Sequence, residues 1–153
     1  MSPRLVLISL SAALALVFAA TAASASSSDD SRDARRLEAA RANVAEPVRT
    51  VRFLRPVHSY EVLGEFSVLV WETNSKAWLV DVRESPACQA RALDNSLGIG
   101  LEAAFDTMNT TNGFVTGRDN LRCRITQIRE VDVPKMRAAE RAAAAAPAAE
   151  PQG

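Results

Sequence analysis

Between Phe66 and Arg83 the apolar positions fall into two short runs on either side of a polar centre. In the first run Val68 and Val70 alternate with Leu69 and Trp71, so both faces of a strand would be apolar. In the second, Trp78, Val80 and Val82 share one face while Leu79, Asp81 and Arg83 share the other. This pattern predicts a hairpin of a central strand and a half-exposed one, joined at Thr73-Asn-Ser-Lys76, whose residue types suit a tight turn.

The same reading extends in both directions. Val48-Arg-Thr-Val-Arg-Phe-Leu54 predicts a strand held between Pro47 and Pro56, and Tyr60 to Leu63 a shorter one broken at Gly64. One helical turn is predicted around Cys88. Leu97, Ile99 and Leu101 alternate with glycines, as in a strand with one bare face. Phe114 and Val115 lie between the turn signals Asn112-Gly113 and Thr116 to Asn120, and residues 103–108 suit either a helical turn or a strand. Leu121 to Val131 is the last strand, with Cys123 and Ile125 on one face. Ile128 is out of phase with them, which predicts a β-bulge.

Outside this region the pattern changes. Met1 to Arg4 is a short basic start, Leu5 to Ala20 is apolar, and Ala23-Ser24-Ala25 is a small-residue cleavage pattern. Together they predict a secretory signal peptide over 1–25, cut between Ala25 and Ser26; an uncleaved anchor is the rival, though the run is short for a span. Residues 26–47 read as a polar linker, its Ser/Asp-rich start disordered and its later part a marginal helix with a stripe of only Leu37, Ala40 and Val44. The foldable part is 48–134, and 135–153 reads as a protruding Ala-rich helix with a disordered tail. The predicted fold is therefore mainly β: a small antiparallel domain, a partly closed barrel or bent sheet of about six strands with a short helix and flexible helical ends.

Charge adds an exclusion. Lysines and arginines balance acids 18 to 18 over the 153 residues, and loss of Arg4 with the leader would leave a formal charge of −1. No global field favours nucleic acid or an anionic membrane. Export implies a periplasmic or secreted protein with no membrane span after cleavage.

Export also sets how the cysteines are read. Two cysteines in an oxidising compartment predict one disulfide, Cys88–Cys123, with two buried thiols as the alternative. Closing a loop of about 35 residues would restrict the unfolded chain by roughly 3–4 kcal/mol. One histidine and two distant cysteines do not make a zinc site, so neither a metal nor another cofactor is expected. His58 is expected to be an ordinary loop residue. The string Gly98-x-Gly100-x-x-Ala103 lacks the βαβ setting of a dinucleotide site. Asn109-Thr-Thr111 is a glycosylation sequon only in a eukaryotic secretory route.

Two groups are candidate ligand contacts. Trp71 and Trp78 would form a stacking platform if they shared an exposed face, against the commoner role of core residues. Arg122 and Arg124, with Arg129, form a basic stripe for an anion, against a solvated face balanced by Glu130 and Asp132.

The strand ending in Val70-Trp71, the Lys76-Ala-Trp-Leu-Val80 strand, Cys88 followed by Leu93, and Cys123-Arg-Ile-x-x-Ile128 with Val131-Asp132 together form a recognisable set. Over roughly Arg52 to Met136 it resembles a family of small exported proteins of Gram-negative bacteria, classed as domain of unknown function number 6491. The resemblance implies a periplasmic, paired-cysteine domain and no activity, so no catalytic residue is carried over. Two function classes follow. One is a non-enzymatic binding or structural protein of the envelope, meeting a protein, a polymer or a small ligand. The other is a hydrolase or lyase built on carboxylates among Asp81, Asp106, Asp119 and Glu130. A third possibility is an inhibitor of an extracellular enzyme acting through the Asn109–Gly113 loop.

Overall fold

The structure is a computed structural model describing residues 24–54, 56–89, 93, 100–102, 107–117 and 121–145, with side chains described from Asp30 onward except over 100–102. Helix α1 (Ser24–Arg41) is followed by strands β1 (Thr50–Arg52), β2 (Ser59–Leu63), β3 (Ser67–Thr73) and β4 (Lys76–Val82). A 3₁₀ turn over Pro86–Cys88 leads to β5 (Gly100–Glu102), β6 (Thr107–Asn109), β7 (Phe114–Thr116) and β8 (Arg122–Val131), and α2 (Val133–Ala145) completes the set. The fold is mainly β, as the hydrophobic pattern predicts, with one sheet curled into a half-barrel. Six strands pair in the order β2-β3-β4-β8-β7-β5 and two more in the ribbon β1-β6. All the pairings are antiparallel. Eight strands are described against the about six expected, and four of them, β1, β5, β6 and β7, are three residues long.

The predicted hairpin is β3 and β4, with Thr73 opposite Lys76 and Asn74-Ser75 as the loop. The register slips at Glu72, an extra residue that turns its side chain to the face opposite Trp71. The bulge expected in the last strand is present: Asp81 lies opposite Gln127 and Val82 opposite Ile125, so Thr126 is the additional residue. That one residue restores phase and brings Cys123, Ile125 and Ile128 into the same core.

The centre of the six-stranded sheet, β3 and β4, is buried on both sides. On one, Val68, Val70, Trp78, Val80 and Ile128 pack with Val51 and Met108 of the β1-β6 ribbon, around the Cys88–Cys123 disulfide. On the other, Leu63, Leu69, Trp71 and Leu79 lie beneath Ala39 and Ala40 of α1 and Val133 and Met136 of α2. The disulfide spans 35 residues with a Cα–Cα distance of 5.7 Å, and both cysteines are buried.

Three expectations change. The strand predicted to be half-exposed, β4, has Ala77 and Leu79 at 0 % exposure, because the helices cover its second face. Residues 26–33, expected to be disordered, lie within α1, which also runs across the Ala25/Ser26 junction. The C-terminal helix packs rather than protrudes, held by the buried Val133 and Met136. The apolar leader up to residue 23, the tail from 146, and Gly98 and Ala103 of the glycine string lie outside the described residues. Gly100 begins β5, an antiparallel edge strand, and not a phosphate-binding turn.

Candidate functional site

The two tryptophans do not form a platform. Each is 7 % exposed, and they belong to opposite faces of the sheet. Trp71 Nε1 donates to Glu61 Oε1 at 3.1 Å and Trp78 Nε1 donates to Glu72 Oε2 at 3.3 Å. Each ring is capped by a cation, Arg137 over Trp71 and Lys76 over Trp78. A buried indole keeps its one donor satisfied in this way, so both rings serve the core.

The bulge at Thr126 puts Arg129 on the same side of β8 as Arg122 and Arg124, but the three arginines have separate partners. Arg122 and Arg124 are exposed; the first guanidinium stacks 4.4 Å from the Phe114 ring centre, and the second donates to the Thr111 carbonyl at 2.9 Å. Arg129 is drawn instead under the helices, where its Nη2 donates to Asp81 Oδ2 at 2.5 Å. Ser67, 1 % exposed, donates to Asp81 Oδ1 at 2.6 Å and accepts from Arg41 Nη2 at 3.2 Å. Asp81 is thus a half-buried partner of Arg129, not a solvated acid, and both its carboxylate oxygens are in use. Arg129 Nε is buried without a protein partner.

Glu130 is exposed and lines a separate shallow pocket beside Asp132 and Lys135, while Asp106 and Asp119 lie outside the described residues. Among the described residues no group of three or more His, Cys, Asp or Glu is placed to hold a metal. His58 sits before β2, with its backbone N–H on the Trp71 carbonyl. The Asn109–Gly113 loop is stitched to the sheet: Asn109 Oδ1 accepts from the N–H of Thr111 and Asn112, and Ile125 N–H donates to the Gly113 carbonyl.

A cleft lies elsewhere, between α1 and the sheet margin. One cavity of about 1020 Å³ is lined by Ala34, Leu37 and Glu38 of α1 and by Val62, Gly64 and Glu65 across from them. A second of about 670 Å³ shares Leu37, Arg41 and Glu65 with it and continues past Phe66 to Ser67, Asp81 and Thr126. The shared residues make the two a single trough. Leu37, Val62 and Phe66 line it beside charged residues, and Arg41, Ser67 and Asp81 of the Arg41–Ser67–Asp81–Arg129 chain of hydrogen bonds line its second part. Neither tryptophan, nor Arg122 or Arg124, is among its lining residues.

The outer side of α1 is fixed by Arg36. Its Nη1 donates to Glu61 Oε2 at 2.5 Å and its Nε to Glu140 Oε1 at 2.7 Å, tying α1 to β2 and α2. Burial pulls the Arg36 pKa down; the hydrogen bonds and charges of Glu61 and Glu140 outweigh this and leave it raised. The wall of the trough is therefore a held helix.

A family model described as "Family of unknown function (DUF6491)" matches residues 6–147, nearly the whole chain. The chain belongs to the DUF6491 family. No curated protein and no solved structure matches it. The trough of this DUF6491 protein was missed by sequence reasoning, which looked for chemistry in the tryptophans and the last strand. Its one sequence signal is the spacing of positions 30, 33, 34, 37, 38 and 41, which line a single face once the segment is helical.

Proposed function

We propose that this DUF6491 protein is exported, cut before Ser26, and acts in the periplasm or outside the cell as a non-enzymatic binding protein of the envelope whose ligand lies in the trough beneath α1. The observation that carries this reading is the trough itself, lined by Leu37, Val62 and Phe66 beside charged residues, in a size range suited to a ligand. The disulfide supports an oxidising compartment. No helix among the described residues is long and apolar enough to cross a membrane. The carboxylate-enzyme reading is the weaker one, because Asp81, the described candidate acid that lines the trough, already accepts from Ser67 and Arg129.

The test joins fractionation to capture. Expression of the full chain in a Gram-negative host, followed by N-terminal sequencing, is expected to give a periplasmic protein beginning at Ser26. Capture from envelope extract is then compared between this protein and Ala34→Trp, which fills the trough from an exposed helix position. A component retained by the first and lost by the second is expected. An uncut cytoplasmic chain, or identical capture by both, overturns the proposal.

A further inference from the structure

We infer that α1 is a hinged lid over the trough, turning about Ala42 and Asn43 and latched by Arg36; that the lid gates a ligand rests on the trough being the binding site. The first observation is where the chain beside α1 is fastened. The helix closes with the Ala42 N–H on the Glu38 carbonyl and the Asn43 N–H on the Ala40 carbonyl. Directly after it the backbone is sewn to β8 and to the start of α2. Ala45 N–H donates to the Glu130 carbonyl at 2.8 Å, Val48 N–H to the Ile128 carbonyl at 2.9 Å, and Asp132 N–H to the Asn43 carbonyl at 2.9 Å. Val44 and Val48 form β-bridges with Val131 and Ile128. Residues 43–48 are therefore held as a strand is held. The amides of a helix bond within it, so the body of α1 rests on its neighbours through side chains.

That contact is slight in apolar area. From Asp30 to Arg41 the buried residues are Ala39 and Ala40, with Leu37 half-buried, whereas β3 is buried from Ser67 to Glu72. An alanine methyl takes little surface out of water, so α1 gains far less from burial than the strands beneath it. Polar ties complete the hold: Arg36 donates to Glu61 of β2 and Glu140 of α2, and Arg41 to Ser67. The two carboxylates keep 37 % and 21 % of their side-chain surface in water, where ion pairs are weak and exchange readily. Glu61 also accepts from Trp71 Nε1, so Arg36 can leave without stranding it.

Lifting α1 breaks no strand pairing, since the pairings of both sheets lie among β1 to β8. An element held in this way opens at a lower free energy than the whole fold. The lining of the larger cavity is divided between Ala34, Leu37 and Glu38 on α1 and Val62, Gly64 and Glu65 opposite. The angle of α1 therefore sets the width of the trough, and a ligand that fits one width better shifts the helix towards it.

The experiment is hydrogen exchange on the purified protein, read by mass spectrometry over residues 30–41 and 67–82. After correction for intrinsic rates, the α1 amides are expected to exchange about tenfold or more faster than those of β3 and β4, as separate opening requires. Arg36→Met should speed α1 by about threefold or more, the effect of two part-exposed ion pairs, and leave β3 and β4 unchanged. Arg36→Lys, able to keep one of the two ties, should fall between. Val62→Cys, placed opposite α1, reads the gate itself: a bulky maleimide should label it about threefold or more faster once Arg36→Met is added. Equal protection of α1 and the strands, equal speeding of both by Arg36→Met, or labelling indifferent to Arg36 overturns the inference. If one of these occurs while Ala34→Trp still loses envelope capture, the lid falls and the trough remains the site. If exchange is as expected but both proteins capture alike, the site falls and the gating of a ligand falls with it.

Discussion

Gly64 and Leu37 meet face to face at the mouth of the trough: a Cβ built on Gly64 would lie 2.6 Å from Leu37 Cδ2. Gly64 also has φ +65°, in the left-handed region. One residue thus turns β2 into β3 and lets α1 approach the sheet. Leu37 ends in a flexible side chain and can yield, whereas the backbone angle cannot. Gly64→Ala is therefore expected to lower stability by about 1–2 kcal/mol, mainly through the positive φ. Asn, which tolerates this region, should cost less at the same position. Urea denaturation of the three proteins decides it, and a Gly64→Ala midpoint equal to the parent's overturns the argument.

The Cys88–Cys123 bridge ties the 3₁₀ turn after β4 to the β8 strand inside the core. Intact mass measured without reductant should be about 2 Da below that of the reduced protein, for the two hydrogens lost on bridging. Replacing both cysteines by alanine should cost about 2–4 kcal/mol, the usual range for a loop of this length. Equal masses would rule the bridge out.

Much of the sheet was legible because its strands bury large side chains at fixed parity. Val68 to Trp71, Trp78 to Val82 and the phase error at Ile128 gave hairpin, centre and bulge directly. The helices were harder to read. Ala39 and Ala40 are buried, and Ala40 is fully enclosed, yet alanines scarcely register as an apolar stripe, so α1 looked like a linker. Helix α2 is anchored by Val133 and Met136 alone of its apolar positions that are buried. The β1-β6 pair joins residues more than fifty positions apart through three-residue strands, and no local pattern announces such a pairing. The trough shares that origin: its walls come from residues 30–42 and 62–67, which only the docking of α1 brings together.

Asp81 separates the structural and catalytic readings of the trough's far end. With Arg129 only 17 % exposed and its Nε already unpartnered, loss of the Asp81 charge leaves a largely enclosed guanidinium without its anion. Asp81→Asn should destabilise by about 1–3 kcal/mol, the cost of a half-buried polar group left imperfectly paired. Asp81→Asn/Arg129→Met should recover part of that loss, because the pair is removed together. Thermal melts of the cycle test the coupling. Additive losses in the double variant would show that the two side chains do not act as a pair.

Asp132 gives the fold a pH dependence whose sign is fixed. Its side chain caps α2: Oδ1 accepts from the Lys135 backbone N–H at 3.1 Å, and Oδ2 pairs with Lys135 Nζ at 3.0 Å. The hydrogen bond from the Lys135 side chain, then the one from its backbone, and its charge hold the Asp132 pKa below the ordinary carboxylate value. A folded-state pKa lower than the unfolded one means that the unfolded chain binds the proton more readily. The stabilisation is then full above the unfolded aspartate value of about 3.9 and is lost as pH falls through the lower folded value. Asp132→Asn keeps a capping oxygen but cannot titrate, so its Tm should fall less than the parent's between neutral and acidic pH. Asp132→Ala loses the cap as well and should also melt lower at neutral pH. Since Asp132 is exposed, added salt should weaken the Lys135 ion pair while leaving the backbone hydrogen bond in place. A parent and an Asp132→Asn variant with the same pH profile of Tm would remove Asp132 from the acid sensitivity of the fold.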